Sequence, residues 1–370
     1  MRLPFCDHHI YAFLQGLEKS CKPLDLALSD YFRSHKSLGA KDRKLIGETV
    51  YGMARWQSLI DSLSPTEHIL DRLRCFKKIM ATPNFDELPA PKAAKLGIPQ
   101  FLYSRFLAIF GEEKTIALCK VLNTQAPVTI RANLIKTTRD ELYEKLKSKF
   151  ALSPCKKAPA GLQLEKREPL FALSEFKEGL FEVQDEASQL IAELVQPKPT
   201  DHVLDYCSGS GGKTLAFAHK MKGKGQIYLH DIRPQALQEA RKRLRRAGVQ
   251  NVQFTLPQRK VHWVLADVPC SGSGTLRRNP DAKWKIDQAL VDRLVEQQRE
   301  IVKEALQYLA PEGRFVYATC SILPEENQDQ VEYFLKTHSL VLEGDPLVLL
   351  PEEDGGDGFF AAVFKRSSLL

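Results

Sequence analysis

From Thr200 onward, short apolar runs alternate with amphipathic segments, and this alternation limits the fold more than any other feature of the chain. HVLDYC, GQIYLHDI, NVQFTL, HWVLADVP and GRFVYATC, at residues 202–207, 225–232, 251–256, 262–269 and 313–320, read as strands. TLAFAHKM, PQALQEARKRLRRAG and the long DQALVDRLVEQQREIVKEALQYL lie between most of them and read as helices. In the longest, Leu290, Leu294, Ile301, Ala305 and Leu309 are expected to share one buried face. Apolar strands separated by helices argue for a parallel, doubly wound α/β sheet covered on both faces. SLVLEG and GFFAAVFKR near the end are expected to add a closing pair, one strand antiparallel.

The first part of the chain has a different period. Leu45, Ile46, Val50, Met53, Leu59, Ile60 and Leu63 fall at three- and four-residue spacings, which predicts helices over residues 41–63. Ser64, Pro65 and Glu67 read as the start signal of another helix. The Pro-rich stretch ATPNFDELPAPKAAKLGIP reads as a connection, and two more helices are expected before residue 122. PVTIRANL, TRDELYEKLKSKF, GLQLEKREPLF and EGLFEV then predict a small α+β module. The expected organisation is an all-α domain over 1–122, the module over 123–195 and the α/β domain over 196–370.

The turn VLDYCSGSGGKT follows the first strand of the α/β domain. Glycines there let backbone approach a ligand at a strand end. It is not a phosphate-binding P-loop, because Cys207 stands where the first glycine is needed. It is not a dinucleotide fingerprint, because Thr214 stands where a third glycine is needed. What remains is an acid, Asp205, followed by a Gly-x-Gly turn, with Asp231 ending the second strand where a carboxylate can hold a ribose diol. That pattern suits a nucleoside without a pyrophosphate, such as S-adenosylmethionine.

Of the eight cysteines, none forms a C-x-x-C pair, so a cysteine-built zinc site is not expected. Scattered cysteines fit a reducing cytoplasm. The N-terminal residues lack the apolar core of a signal peptide, and no apolar run is long enough to span a membrane. Cys207, Cys270 and Cys320 all stand at strand ends that share one rim of a parallel sheet. A single cysteine is commonly a packing residue. Two at strand ends, each followed by polar residues, suggest chemistry. A thiolate that adds to carbon-6 of cytosine makes carbon-5 nucleophilic enough to attack a sulfonium methyl. The thiol needs help to ionise near neutral pH. Asp267 is expected to serve the ring nitrogen N3, with its carboxyl kept protonated by burial. A second thiol, or a water it positions, would help remove the carbon-5 proton. Either cysteine could be the nucleophile on this logic. Arg277 and Arg278 follow and are expected to hold RNA phosphates. The net charge of +7 is compatible with a nucleic-acid partner.

DVPCSGSGTLRRNP, YATCS…EEN and DYCSGSGGKT together resemble the RNA cytosine-5 methyltransferases of the Sun/RsmB type. APVTIRAN and VQDEAS resemble the small module that precedes the catalytic domain in that family, and DRKLIGETVYGMARWQSLID resembles its helical NusB-like RNA-binding module. The resemblance implies a Rossmann-like methyltransferase domain that uses S-adenosylmethionine. It implies Cys320 as nucleophile, Cys270 as the residue assisting product release, and Cys207, Ser208, Gly209, Ser210, Gly211, Gly212, Lys213, Asp231 and Asp267 at cofactor positions, with Lys213 also facing the target base. The expected partner is small-subunit ribosomal RNA, with transfer RNA or a non-catalytic assembly role as alternatives, and the expected state is a monomer. Two departures stand out. The family usually has Ala-Ala-Pro-Gly where this chain has Ser208-Gly209-Ser210-Gly211, and it usually has an acid after the third strand where NVQFTLPQRKVHW has none.

Overall fold

The computed structural model describes residues 3–18, 22–82 and 84–367. They form two compact units. The helical unit comprises residues 1–125 together with Leu276–Asp287, and the second unit holds the rest of the chain.

In the helical unit, Ala40–Arg55 and Gln57–Leu63 are separate helices that break at Trp56. Ile46, Val50, Leu59 and Ile60 are buried as the spacing predicts, with Phe13, Leu28, Leu73 and Phe76 from neighbouring helices. Leu45 is 51% exposed, so it lies off the apolar stripe. The start signal at Ser64 is not used. Ser64 instead follows the last turn of the preceding helix, and the next helix begins at Ile69. The insertion Leu276–Asp287 was not foreseen. It is held by Lys283, whose ammonium is 0% exposed and donates to the carbonyls of Arg55 (2.8 Å) and Gly97 (2.5 Å) and to Asn123 Oδ1 (2.7 Å). The Trp284 indole adds a bond to the carbonyl of Ala54 (2.6 Å). Burial drives the Lys283 ammonium well below its ordinary pKa, with repulsion from Arg55 acting the same way.

The second unit contains two sheets. Strands β1 (Val128–Ala132), β2 (Leu152–Pro154), β3 (Gly161–Leu164) and β4 (Phe181–Val183) form an antiparallel sheet in the order β2-β3-β1-β4. The helix Arg139–Leu146 packs on it and opens with a capping box, in which Thr138 and Glu141 satisfy each other's backbone amides. The larger sheet runs β10 (Leu340–Leu342), β12 (Phe359–Arg366), β9 (Leu309–Thr319), β8 (Val261–Asp267), β5 (His202–Asp205), β6 (Gln226–Leu229), β7 (Val252–Gln253). β5 to β9 are mutually parallel, β12 is antiparallel to β9, and β11 (Leu347–Leu349) pairs with β12.

Alternate residues serve opposite faces. Leu204, Val264, Phe315 and Tyr317 face the helices Gln288–Leu306 and Gln328–Thr337. Val203, Ile227, Leu265 and Val316 face the helices Gly212–Phe217 and Pro234–Ala247. In the long helix the buried stripe is Val291, Leu294, Gln298, Val302, Ala305 and Leu306. It is rotated from the expected one, and Leu309 already belongs to β9. Gln298 explains the difference: a polar side chain lies in the apolar stripe because it finds buried partners. The chain passes from β5 out to β7 and returns to β8 on the other side of β5. The reversal puts a crevice at the C-terminal ends of β5 and β8, where ligands bind in open α/β sheets. No helix among the described residues is long and apolar enough to cross a membrane.

Candidate active site

The turn after β5 is shaped by glycines. Gly209 and Gly211 have φ of +52° and +76°, a region that side chains with a Cβ rarely occupy. The Ser208 amide donates to the carbonyl of His230 (2.9 Å), and the Gly211 amide to that of Ser208 (2.8 Å). Ser210, at the position of the family's proline, is held through its hydroxyl (2.6 Å) and carbonyl (3.1 Å) by Arg243. Glu182 of β4, almost fully buried, accepts from Arg243 and Arg246. Arg131 of β1 donates to the carbonyl of Gly212 (3.2 Å). The small module thus braces the turn from outside, a role that sequence reasoning did not assign to Arg131, Glu182 or Arg243.

Within the turn, buried polar atoms are left for a ligand. Asp205 is 1% exposed; its Oδ2 accepts from Thr214 (2.6 Å), while its Oδ1 and the Ser208 hydroxyl have no partner among the described residues. Orphaned buried polar atoms are costly, which argues that a polar ligand completes them. Burial, reinforced by Asp267 and Asp231, pushes the Asp205 carboxyl up to about 7 against the pull of Thr214 and Lys213. Asp231 accepts from the Gly209 amide (2.8 Å) and from the amide (2.9 Å) and guanidinium of Arg233. Burial would raise its pKa, but these bonds outweigh it and hold the carboxyl below its ordinary value. Cys207 is a different case. Burial, with the charges of Asp267, Asp205 and Asp231, drives its thiol far up, so it lines the turn as a neutral group.

At the end of β8, Asp267 forms an ion pair with Lys213, and the Lys213 ammonium lies 5.5 Å from the centre of the Phe359 ring. Asp267 is therefore paired and partly exposed, where the sequence led us to expect a carboxyl isolated by burial. Cys270 and Cys320 have their sulfurs 3.3 Å apart, and the Cys320 amide points at the Cys270 sulfur at the same distance. The neighbouring Cys320 sulfur, then burial, then Glu326 hold the Cys270 thiol well above its ordinary pKa. The two loops are tied by backbone: the Gly274 amide donates to the Cys320 carbonyl (3.0 Å) and the Gly358 amide to the Gly274 carbonyl (2.9 Å).

A buried polar network lies beneath the thiols. Ser273 and Ser321 share a hydroxyl contact (3.0 Å), Glu326 accepts from Ser271, and Gln298 reaches both the Pro269 carbonyl (3.1 Å) and Glu326 (3.1 Å). The Tyr317 hydroxyl donates to the carbonyl of Glu326 (2.7 Å). The arginines depart from expectation. Arg277 is 1% exposed and its carbonyl accepts from Arg55 (2.9 Å), so its guanidinium is not presented to solvent; Arg278 is half-buried. Its place in the insertion Leu276–Asp287 is the physical reason, since that segment packs into the helical unit.

Residues 192–365 match the family model described as 16S rRNA methyltransferase RsmB/F, and residues 98–170 match its ferredoxin-like domain. A protein of Synechocystis named probable ribosomal RNA small subunit methyltransferase B is 32% identical over 299 residues, covering 73% of this chain and 67% of its own. The ribosomal RNA small subunit methyltransferase B of Photorhabdus laumondii is 34% identical over 281 residues, covering 71% and 65%. This chain thus spans about two thirds of the length of these relatives. Among solved structures, a methyltransferase homologue from Pyrococcus horikoshii superposes with a TM-score of 0.64 at 26% identity, covering 77% of this chain and 99% of that one. On these matches, this chain belongs to the RsmB/RsmF methyltransferase family.

Proposed function

We propose that this chain is an S-adenosylmethionine-dependent RNA cytosine-5 methyltransferase that acts on small-subunit ribosomal RNA in the cytoplasm. The observation that carries the reading is the pair of thiols 3.3 Å apart on the rim that also bears the Lys213–Asp267 pair and the glycine turn. A methyltransferase that acted on an oxygen or nitrogen nucleophile would have no use for two thiols. The names of the relatives support ribosomal RNA as the substrate.

The residues that would hold the cofactor are Asp205, Cys207, Ser208, the turn 209–212, Lys213 and Asp231, and the orphaned Asp205 Oδ1 and Ser208 hydroxyl fit a ligand with donors to offer. When bound, S-adenosylmethionine supplies an electrophilic methyl group for carbon-5. Cys320, the nucleophile implied by the family resemblance, adds as thiolate to carbon-6 of a cytosine taken out of its stack. The Lys213–Asp267 pair serves N3, where electron density collects as the ring becomes an enamine. After methylation the carbon-5 proton leaves, the carbon–sulfur bond breaks and its electron pair returns to Cys320. Cys270 assists that departure. Arg278 remains the candidate phosphate contact.

The test is a covalent trap. Wild type, Cys270→Ala and Cys320→Ala are mixed with S-adenosylmethionine and unmodified small-subunit RNA, naked and in particles. Accumulation of a denaturant-resistant protein–RNA adduct in Cys270→Ala, and its absence in Cys320→Ala, is the expected result. An adduct that requires Cys270 reverses the two roles. Neither adduct nor methyl transfer with either RNA form would refute the enzymatic reading.

A further inference from the structure

Glu326 is a buried carboxylate that the proposed reaction does not use. It ends the short turn Pro324–Glu326 and is 0% exposed. Its side-chain partners among the described residues are all neutral: the Ser271 amide (2.8 Å) and Gln298 Nε2 (3.1 Å) on Oε1, and the Ser271 hydroxyl (2.5 Å) on Oε2. A carboxylate buried without a cation is a costly feature, and hydrogen bonds of this kind are what makes it tolerable. Two of the three bonds go to one residue, and that residue directly follows Cys270.

The ionisable groups that face Cys270 are Cys320 from the end of β9, Glu326 from the turn beyond it, and the Tyr317 phenol from within β9. Arg299 of the long helix faces Tyr317. A fixed negative charge beside one of two touching thiols breaks their symmetry, because it disfavours a second negative charge nearby. We propose that Glu326 is a positioning residue that decides which thiol keeps its proton. It grips Ser271 by amide and hydroxyl, holds Cys270 against Cys320, and sets a negative charge behind Cys270 so that Cys320 is the thiol that ionises. Cys270 then acts as an S–H donor to the Cys320 sulfur. When the carbon–sulfur bond breaks, the electron pair goes to Cys320, the Cys270 S–H supports the departing thiolate, and the carbon-5 proton passes to water. The inference rests on the methyltransferase reading for its role, but the order of ionisation is a property of the chain alone.

The test uses the full-length protein without RNA or cofactor. Alkylation by iodoacetamide is followed at Cys270 and Cys320 by mass spectrometry across pH 5 to 11. The midpoint of each profile is read rather than the rate, because restricted access of the reagent scales the rate but leaves the midpoint. In wild type the Cys320 midpoint is expected below that of Cys270. In Glu326→Gln, which keeps shape and loses charge, the Cys270 midpoint is expected to fall by about one pH unit. In Ser271→Ala, which keeps the charge and loses half of the grip, the Cys270 midpoint stays near that of wild type while methyl-transfer kcat falls. An unchanged Cys270 midpoint in Glu326→Gln overturns the proposal, as does a shift in Ser271→Ala equal to that in Glu326→Gln. Should Glu326→Gln not fold, wild type still decides: a Cys270 midpoint below that of Cys320 overturns it. Absence of methyl transfer with the expected order of midpoints refutes the enzymatic reading instead, so the two failures are distinct.

Discussion

Replacing Asp205 by Asn should stabilise the cofactor-free chain at alkaline pH while impairing ligand binding. Asp205 sits at the end of β5 with 1% exposure, one carboxylate oxygen bonded to Thr214 and the other without a partner among the described residues. Burial is the main reason that its carboxyl is pushed from 3.8 to about 7. In the unfolded chain the group ionises near its ordinary value. Between roughly pH 4 and 7 the folded chain therefore binds more protons than the unfolded one, and stability falls as pH rises. The benefit of the neutral form is complete below about pH 4 and gone once the pH has passed about 7. A shift of about three units corresponds to about 4 kcal/mol, at about 1.4 kcal/mol per unit. Asn keeps the acceptor for Thr214 and cannot ionise, but it leaves a buried amide proton unpaired at a cost of about 1 kcal/mol. The net gain at pH 8.5 is about 3 kcal/mol, or roughly 6–12 °C in Tm for a domain of this size. At pH 4.5 the variant should melt at or slightly below wild type. Calorimetry at the two pH values measures the difference. Equal differences at both pH values, or a lower Tm for the variant at pH 8.5, would refute the reasoning. The same substitution removes an acceptor from the proposed cofactor pocket, and affinity for S-adenosylhomocysteine by titration calorimetry should drop about tenfold.

Three further substitutions probe other parts of the chain. A methyl group at Gly274 would lie 2.3 Å from the Gly358 carbonyl oxygen, at the point where backbone ties the two cysteine loops. Gly274→Ala should lower kcat on the order of a hundredfold by misplacing the thiols, with cofactor affinity unchanged. Gly211→Ala forces a Cβ onto a residue with φ of +76°, at about 1–2 kcal/mol, and should weaken cofactor binding about tenfold as the turn relaxes. Lys283→Met leaves the carbonyls of Arg55 and Gly97 and the Asn123 side chain without their donor. It should cost about 3 kcal/mol and raise amide exchange in residues 276–287 ahead of the rest of the chain; uniform exchange throughout would contradict the pinning role.

What could be read from sequence was periodic, and what could not depended on contacts across long separations. The strands β5, β6, β8 and β9 were legible because residues such as Val203, Leu204, Val264 and Leu265 are apolar on both faces. The glycine turn was legible because positive φ at Gly209 and Gly211 leaves few other residue choices. The thiols were legible because the parallel order places strand ends on one rim. Three features escaped for one shared reason. Gln298 interrupts an apolar stripe, and its partners, Glu326 and Gln330, lie 28 and 32 residues away in sequence. Lys283 finds its acceptors 160 to 228 residues back, and no local pattern marks a lysine as buried. Arg277 stands close to the Cys270 loop in sequence yet lies in the interior. For Gln298 and Lys283 the polar side chain is buried because its partners are preassembled elsewhere in the fold. Apolar periodicity therefore located the rim that carries the two thiols, while the residues that set its geometry are the polar ones that break that periodicity. Glu326 is the clearest instance: it lies six residues beyond Cys320, and its two bonds to Ser271 tie it to the loop of the other thiol.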